Sequence, residues 1–114
     1  MALPKKLRLA RRDFLIAKLK GRRYSQRLFS AVYFNNNVKE ARYNRYGVVV
    51  SKKIHQNAVI RNRLKRLIFS CLSFSGPAFF DIIIYPKKVM LNLSHEEIAA
   101  GINQFISEIF SQKS

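Results

Sequence analysis

The sequence predicts an α/β chain of the α+β two-layer sandwich kind, one small domain ordered helix, strand, strand, helix, strand, helix. Three observations predict it. The chain has 114 residues, 48% of them apolar, which suits one buried core and is ordinary for a globular protein. Two segments repeat apolar residues at helical spacing over more than about ten positions. Short β-branched or aromatic runs lie before and between them, bounded by Asn, Gly or Pro.

The elements follow in order. Residues 1–10 are basic and read as a flexible N-terminus, with Pro4 near the start. A short helix is expected over Arg11 to Leu19, where Phe14 and Ala17, and Leu15 and Leu19, share helical spacing; Gly21 ends it. Leu28 to Phe34 is an aromatic-rich strand, and Asn35-Asn36-Asn37 opens a long loop over 38–44. Gly47 to Ser51 reads as a β-branched strand buried on both faces. Residues 58–72 form the clearest helix, with Ile60, Leu64, Leu67, Ile68 and Cys71 on one stripe and Ser75-Gly76-Pro77 as its stop. Phe79 to Tyr85 is the last strand, ended by Pro86. The final helix starts at Ser94, whose hydroxyl and the Glu97 carboxylate fit a capping box. Ile98, Ile102, Phe105, Ile106 and Ile109 form its apolar stripe.

The charge narrows the function. There are 22 Lys and Arg against 6 Asp and Glu, a net +16. Such a surplus opposes compaction, so it points to a polyanionic partner. Residues 1–66 hold 19 of the 22 cations, which argues for a binding face over evenly spread solubilising charge. Cys71 is the only cysteine, so an internal disulfide and cysteine-based zinc spacing are excluded. No run reaches the roughly 18 apolar residues of a membrane span, and no signal-peptide pattern follows Met1; a cytoplasmic address is expected. His55 and His95 have neither metal-ligand spacing nor a nucleophile pattern. No carboxylate pair suggests acid–base work. Asp13 and Asp81 are expected to cap or pair with Arg. No catalytic residue, metal ligand or small-molecule substrate is therefore assigned to the chain.

The informative segment runs from Ser51 to Arg66. With about 100° per residue and Arg61 at zero, Lys65, Asn62, Arg66 and Arg63 fall between about 40° and 200°. The apolar stripe falls between about 240° and 340°. One face packs and the other offers four cations and an amide, with no acid among them. Guanidinium groups grip phosphate bidentately and Lys adds a mobile charge, so this arc suits a nucleic-acid backbone. Tyr43, Arg45 and Tyr46 alternate base and aromatic, which fits either an RNA contact or a packed loop.

Ser51-Lys52-Lys53-Ile54-His55-Gln56-Asn57-Ala58-Val59-Ile60-Arg61-Asn62-Arg63-Leu64-Lys65-Arg66-Leu67-Ile68 resembles the signature of the bacterial ribonuclease P protein family: Arg-Asn-Arg-x-Lys-Arg on a helix, preceded by a Lys pair closing a strand. Asp13-Phe14, Gly21, Arg27-Leu28-Phe29 and Asp81-Ile82-Ile83-Ile84 resemble the family's flanking elements, so the resemblance spans roughly residues 5–110. It implies one ribonuclease P protein-like domain over 1–114, with the central helix in a left-handed β-α-β crossover, opposite to the usual hand. It implies an accessory subunit of an endoribonuclease that removes the 5′ leader of precursor tRNA. Catalysis would lie in a partner RNA that binds most of the Mg²⁺. Lys52, Lys53, Arg61, Asn62, Arg63, Lys65 and Arg66 would face that RNA. A cleft between the first helix and the sheet would hold the leader, at Phe14, Lys18, Ser30, Val32 and Ile84. Many members carry aromatics where this chain has Lys18 and Val32, which shifts the expectation from stacking toward charge. Many also have a Gly in a shorter loop where this chain has His55-Gln56. Strand alternation puts Leu28, Ser30, Val32 and Phe34 on one face and Phe29, Ala31 and Tyr33 on the other, and either face could be the cleft. The alternative is a ribosomal or other structured-RNA-binding protein without a processing role.

Overall fold

The computed structural model describes residues 10–35, 45–72 and 80–113. The elements are α1 (Arg11–Lys20), β1 (Arg22–Ser25), β2 (Phe29–Asn35), β3 (Arg45–Val48), α2 (Ala58–Cys71), β4 (Phe80–Pro86), a 3-10 turn (Lys88–Asn92) and α3 (His95–Lys113). The four strands make one mixed sheet in the order β1-β2-β4-β3. β2 is antiparallel to β1 and β4, while β3 runs parallel to β4 and reaches it through α2. The expected order of elements stands, with β1 added. The loop expected over 38–44 and the stop at Ser75-Gly76-Pro77 lie outside the described residues.

β2 and β4 are the two inner strands, and their alternation decides the layers. Phe29, Ala31 and Tyr33 of β2 join Phe80, Ile82 and Ile84 of β4 and Tyr46 and Val48 of β3 in one core. Leu64 and Ile68 of α2 and Ile98, Ile102, Phe105 and Ile109 of α3 close over it. The helix stripes read from the sequence are thus the buried ones. Phe105 stands 4.6 Å from the Tyr24 ring and 5.5 Å, edge-on, from Phe29. This contact explains β1: Arg-Arg-Tyr-Ser has one anchoring residue and no alternation for a pattern search to find.

The second expected strand needs correction. Pairing covers Arg45–Val48, two residues earlier than Gly47–Ser51, and only Tyr46 and Val48 are buried. β3 is the sheet edge beside β4, so its other face is half open rather than enclosed on both sides. The N–H of Val49 still donates to the Ile84 carbonyl at 2.9 Å, after which the chain leaves the sheet.

α3 opens as the sequence predicts. The Glu97 N–H donates to Ser94 Oγ at 3.2 Å, and the Ser94 N–H donates to Glu97 Oε1 at 3.1 Å. α2 has a cap the sequence reading missed: Asn57 Oδ1 accepts from the Val59 N–H at 2.8 Å. α1 lies on the opposite face of the sheet, where Ala17, Val32 and Ile83 are buried apart from the main core. Gly21 ends α1 with its N–H on the Ala17 carbonyl at 2.8 Å. Its φ of −73° suits any residue; glycine is needed because a Cβ would stand 2.5 Å from Ala17 O and Val32 Cγ1.

Candidate nucleic-acid interface

The cationic arc of α2 is open. Asn62, Arg63, Lys65 and Arg66 are exposed, while Leu64 and Ile68 retain only 4% and 0% of their surface. Ile60 and Leu67 are half-buried, at the edges of the stripe. Phe69 is buried although it falls near 80° on the helical wheel, within the arc expected to be polar. The last turn of α2 is therefore enclosed further round than the first turns, and the cations sit on the open ones.

Arg61 behaves differently from the other four. Its Nη1 donates to the His55 and Gln56 carbonyls, both at 2.8 Å, tying the preceding loop to the helix. That loop turns at Ser51, whose carbonyl accepts from the Ile54 N–H at 3.0 Å. His55 Nδ1 accepts from the Asn57 N–H at 2.9 Å. This is the backbone path of the His55-Gln56 segment, and it holds Lys52 and Lys53 exposed beside α2. Lys52, Lys53, His55 and Gln56 line a shallow pocket with Lys88, a cation the sequence reading passed over. Lys88 follows β4, and β3 and β4 end side by side because they are parallel, so their outgoing segments meet.

On the α1 face a groove of about 470 Å³ is lined by Lys18, Arg23, Tyr24, Ser25, Ser30, Ala31, Val32 and Tyr85. This groove thus lies on the strand face that carries Ser30 and Val32. Val32 is its floor, 9% exposed. Phe14 is half-buried on α1, one helical turn before Lys18. Ile84 is a correction: it has no exposed surface and packs in the main core on the opposite face. Its register partner is Ala31, whereas the groove residue Ser30 faces Tyr85. A shift of one residue along a strand exchanges faces, so Tyr85 takes the place expected of Ile84. Burial pushes the Tyr85 phenol up, the Arg23 charge pulls it down, and the net position is above its ordinary value.

Arg45 fixes α1 over this groove. Its guanidinium holds Asp81 with two bonds of 2.9 and 3.0 Å and Asp13 of α1 with one of 3.0 Å. Asp81 is 2% exposed. Burial alone lowers the Arg45 pKa, but the Asp81 and Asp13 carboxylates outweigh it and hold it above the ordinary value. Asp13 and Asp81 therefore pair with Arg, as the sequence suggested. Tyr46 is a core residue, and Tyr43 lies outside the described residues. Among the described residues no three His, Cys, Asp or Glu side chains stand together as a metal site, and no helix is long and apolar enough to cross a membrane.

Residues 3–109 match the model of the family described as Ribonuclease P. The chain is 46% identical over 111 residues to a ribonuclease P protein component from Pseudanabaena, covering 93% of each chain. It is 29% identical over 112 residues to that of Synechocystis, covering 95% of this chain and 89% of the relative. Its fold is similar to the RNase P protein of Thermotoga maritima, with TM-score 0.74 and 28% identity over 89% of this chain and 96% of that one. It is similar also to the RNase P protein of Staphylococcus aureus, with TM-score 0.72 and 29% identity over 90% and 94%.

Proposed function

The chain belongs to the ribonuclease P protein family, and from that premise we propose how its two surfaces divide the work of that enzyme. As a member it is the protein subunit of a ribonucleoprotein endoribonuclease, binds RNA and serves tRNA processing, with catalysis in the RNA. The observation that carries the division is that the acid-free arc of α2 and the groove under α1 lie on opposite faces of one sheet.

Arg63, Lys65, Arg66 and Asn62, with Lys52 and Lys53, hold the catalytic RNA by its phosphates and ribose hydroxyls. Arg61 belongs to this set mainly by fastening the lysine-bearing loop to α2. Lys18, Ser30 and Val32 line the groove that receives the single-stranded 5′ leader of precursor tRNA, and Phe14, one helical turn from Lys18, stands outside that lining. Ile84 is left out of that set. A duplex does not fit a groove under one helix, whereas a single strand can place bases inside and phosphates on Lys18 and Arg23. The enzyme is metal-dependent, and Mg²⁺ is the ion this reading assigns, held mainly by the RNA. By neutralising phosphates, the protein lowers the Mg²⁺ that RNA and substrate need to come together. The setting is the cytoplasm, where tRNA precursors are made.

Reconstitution tests this reading. The protein mixed with a bacterial ribonuclease P RNA is expected to raise precursor tRNA cleavage at low Mg²⁺, while the protein alone cleaves nothing. Cleavage that is indifferent to the protein at every Mg²⁺ concentration refutes it.

A further inference from the structure

We propose that Tyr85 is the platform on which one leader base stacks, with Arg23 and Lys18 gripping the adjoining backbone. The proposal rests on the groove being the leader site and says which nucleotide contacts it makes.

The groove lining offers two aromatic rings, and one of them is committed elsewhere. Tyr24 packs against Phe105 and Phe29 in the main core, and its hydroxyl accepts from Gln26 Nε2 at 3.3 Å. Tyr85 is half-buried at the other side of the groove. Among the described residues its side chain makes no ring–ring contact and no hydrogen bond. Ser30, Ala31 and Val32 between the two have no π-face. Lys18 and Arg23 are exposed and, among the described residues, form no ion pair. An unused ring with two unused cations and no acid in the lining is the arrangement a single-stranded nucleotide requires: base on ring, phosphate on cations. Stacking on a ring accepts any base, which suits leaders of varied sequence.

The polar end of the groove is ordered as well. Lys87 Nζ donates to Ser25 Oγ at 3.0 Å and to the Gln26 carbonyl at 2.6 Å. Ser25 Oγ stands 3.3 Å from Ser30 Oγ, the residue opposite Tyr85 in the sheet. An ammonium only donates, so Ser25 Oγ accepts there, while either hydroxyl can donate in the Ser25–Ser30 pair. The Ser30 hydroxyl can therefore offer the stacked base a donor or an acceptor. The phenol of Tyr85, held above its ordinary pKa, stays neutral at physiological pH and does not repel the strand.

The test uses the reconstituted holoenzyme and precursor tRNA carrying 2-aminopurine at each leader position in turn. In the wild type one position is expected to lose fluorescence on binding, as a base does when it stacks on an aromatic ring. Tyr85→Phe keeps that quenching and binds precursor within about twofold of wild type. Tyr85→Ala and Tyr85→Leu lose the quenching and weaken precursor binding about tenfold, toward the low end of base–aromatic stacking, with mature tRNA unaffected. Leu preserves packing without a π-face, so Leu behaving like wild type overturns the proposal. Quenching that survives Tyr85→Ala also overturns it while leaving the groove as the leader site. No quenching at any position in the wild type, with equal affinity for precursor and mature tRNA, overturns the leader site itself.

Discussion

Arg63→Ala and Leu64→Ala alter adjacent residues and should do opposite things. Leu64 is 4% exposed and packs under α2 in the main core. Truncation removes roughly three buried carbons at about 0.8 kcal/mol each, about 2.4 kcal/mol, and the cavity brings the loss to about 3 kcal/mol. At about 4 °C per kcal/mol for a domain of this size, Tm falls by about 12 °C. Arg63 is exposed on the cationic arc, so its removal changes stability by no more than about 0.5 kcal/mol. Relief of repulsion from Lys65 and Arg66 can make the change slightly favourable. Binding reverses the ranking. One lost charge-assisted contact costs about 1.5 kcal/mol, a little over tenfold in affinity for ribonuclease P RNA. The slope of log K against log salt falls by about 0.7 to 0.9. The assay is thermal unfolding of both variants beside RNA titrations from 50 to 200 mM salt (about hundredfold weaker at the upper end if five cations reach phosphates). Arg63→Ala unfolding the protein while Leu64→Ala leaves Tm unchanged would refute the assignment of the two faces.

Arg61→Ala should depart from Arg63→Ala by also lowering Tm, since two bonds of 2.8 Å to the His55 and Gln56 carbonyls are lost, about 1–2 kcal/mol together; equal melting curves for the two variants contradict this. Arg45→Met removes the guanidinium that neutralises the buried Asp81 and ties down α1, and calorimetry should show a loss of about 2–4 kcal/mol. Asp13→Asn, which spares the Asp81 pair, should cost under about 1 kcal/mol, and a larger loss than for Arg45→Met sinks the account. Tyr24 and Tyr85 both titrate above their ordinary 10.0 because burial disfavours the phenolate. Their folded pKa values exceed the unfolded ones, so their contribution is complete below about pH 10 and is lost as pH rises through the folded values. Replacing both by Phe should therefore leave a Tm difference from wild type that shifts in the variant's favour as pH rises past the ordinary tyrosine value of 10.0; a difference independent of pH there removes the argument.

Periodicity and local chemistry were enough for several features. The stripes of α2 and α3 are regular because each helix buries one side, and a 3.6-residue repeat records this directly. The Ser94–Glu97 box and the open cationic arc are local too, since residues within one helical turn determine them. The order Lys-Lys, loop, Arg-Asn-Arg-x-Lys-Arg carried the family. Other features depended on partners distant in the chain. β1 is held by Tyr24 against Phe105, 81 positions away, so its own four residues bear no strand pattern. β3 lies at the sheet edge, and its pairing takes in Arg45 opposite Asp81, upstream of the Val run that marks the strand in the sequence. Arg45 draws Asp13 and Asp81 together from two other elements, which no spacing along the chain announces. The groove proposed for the leader turned on a single binary choice. Alternation divides a strand into two faces but does not say which one the long helices will cover; the packing of α2 and α3 covered that of Ala31 and Ile84 and left Ser30, Val32 and Tyr85 to the groove.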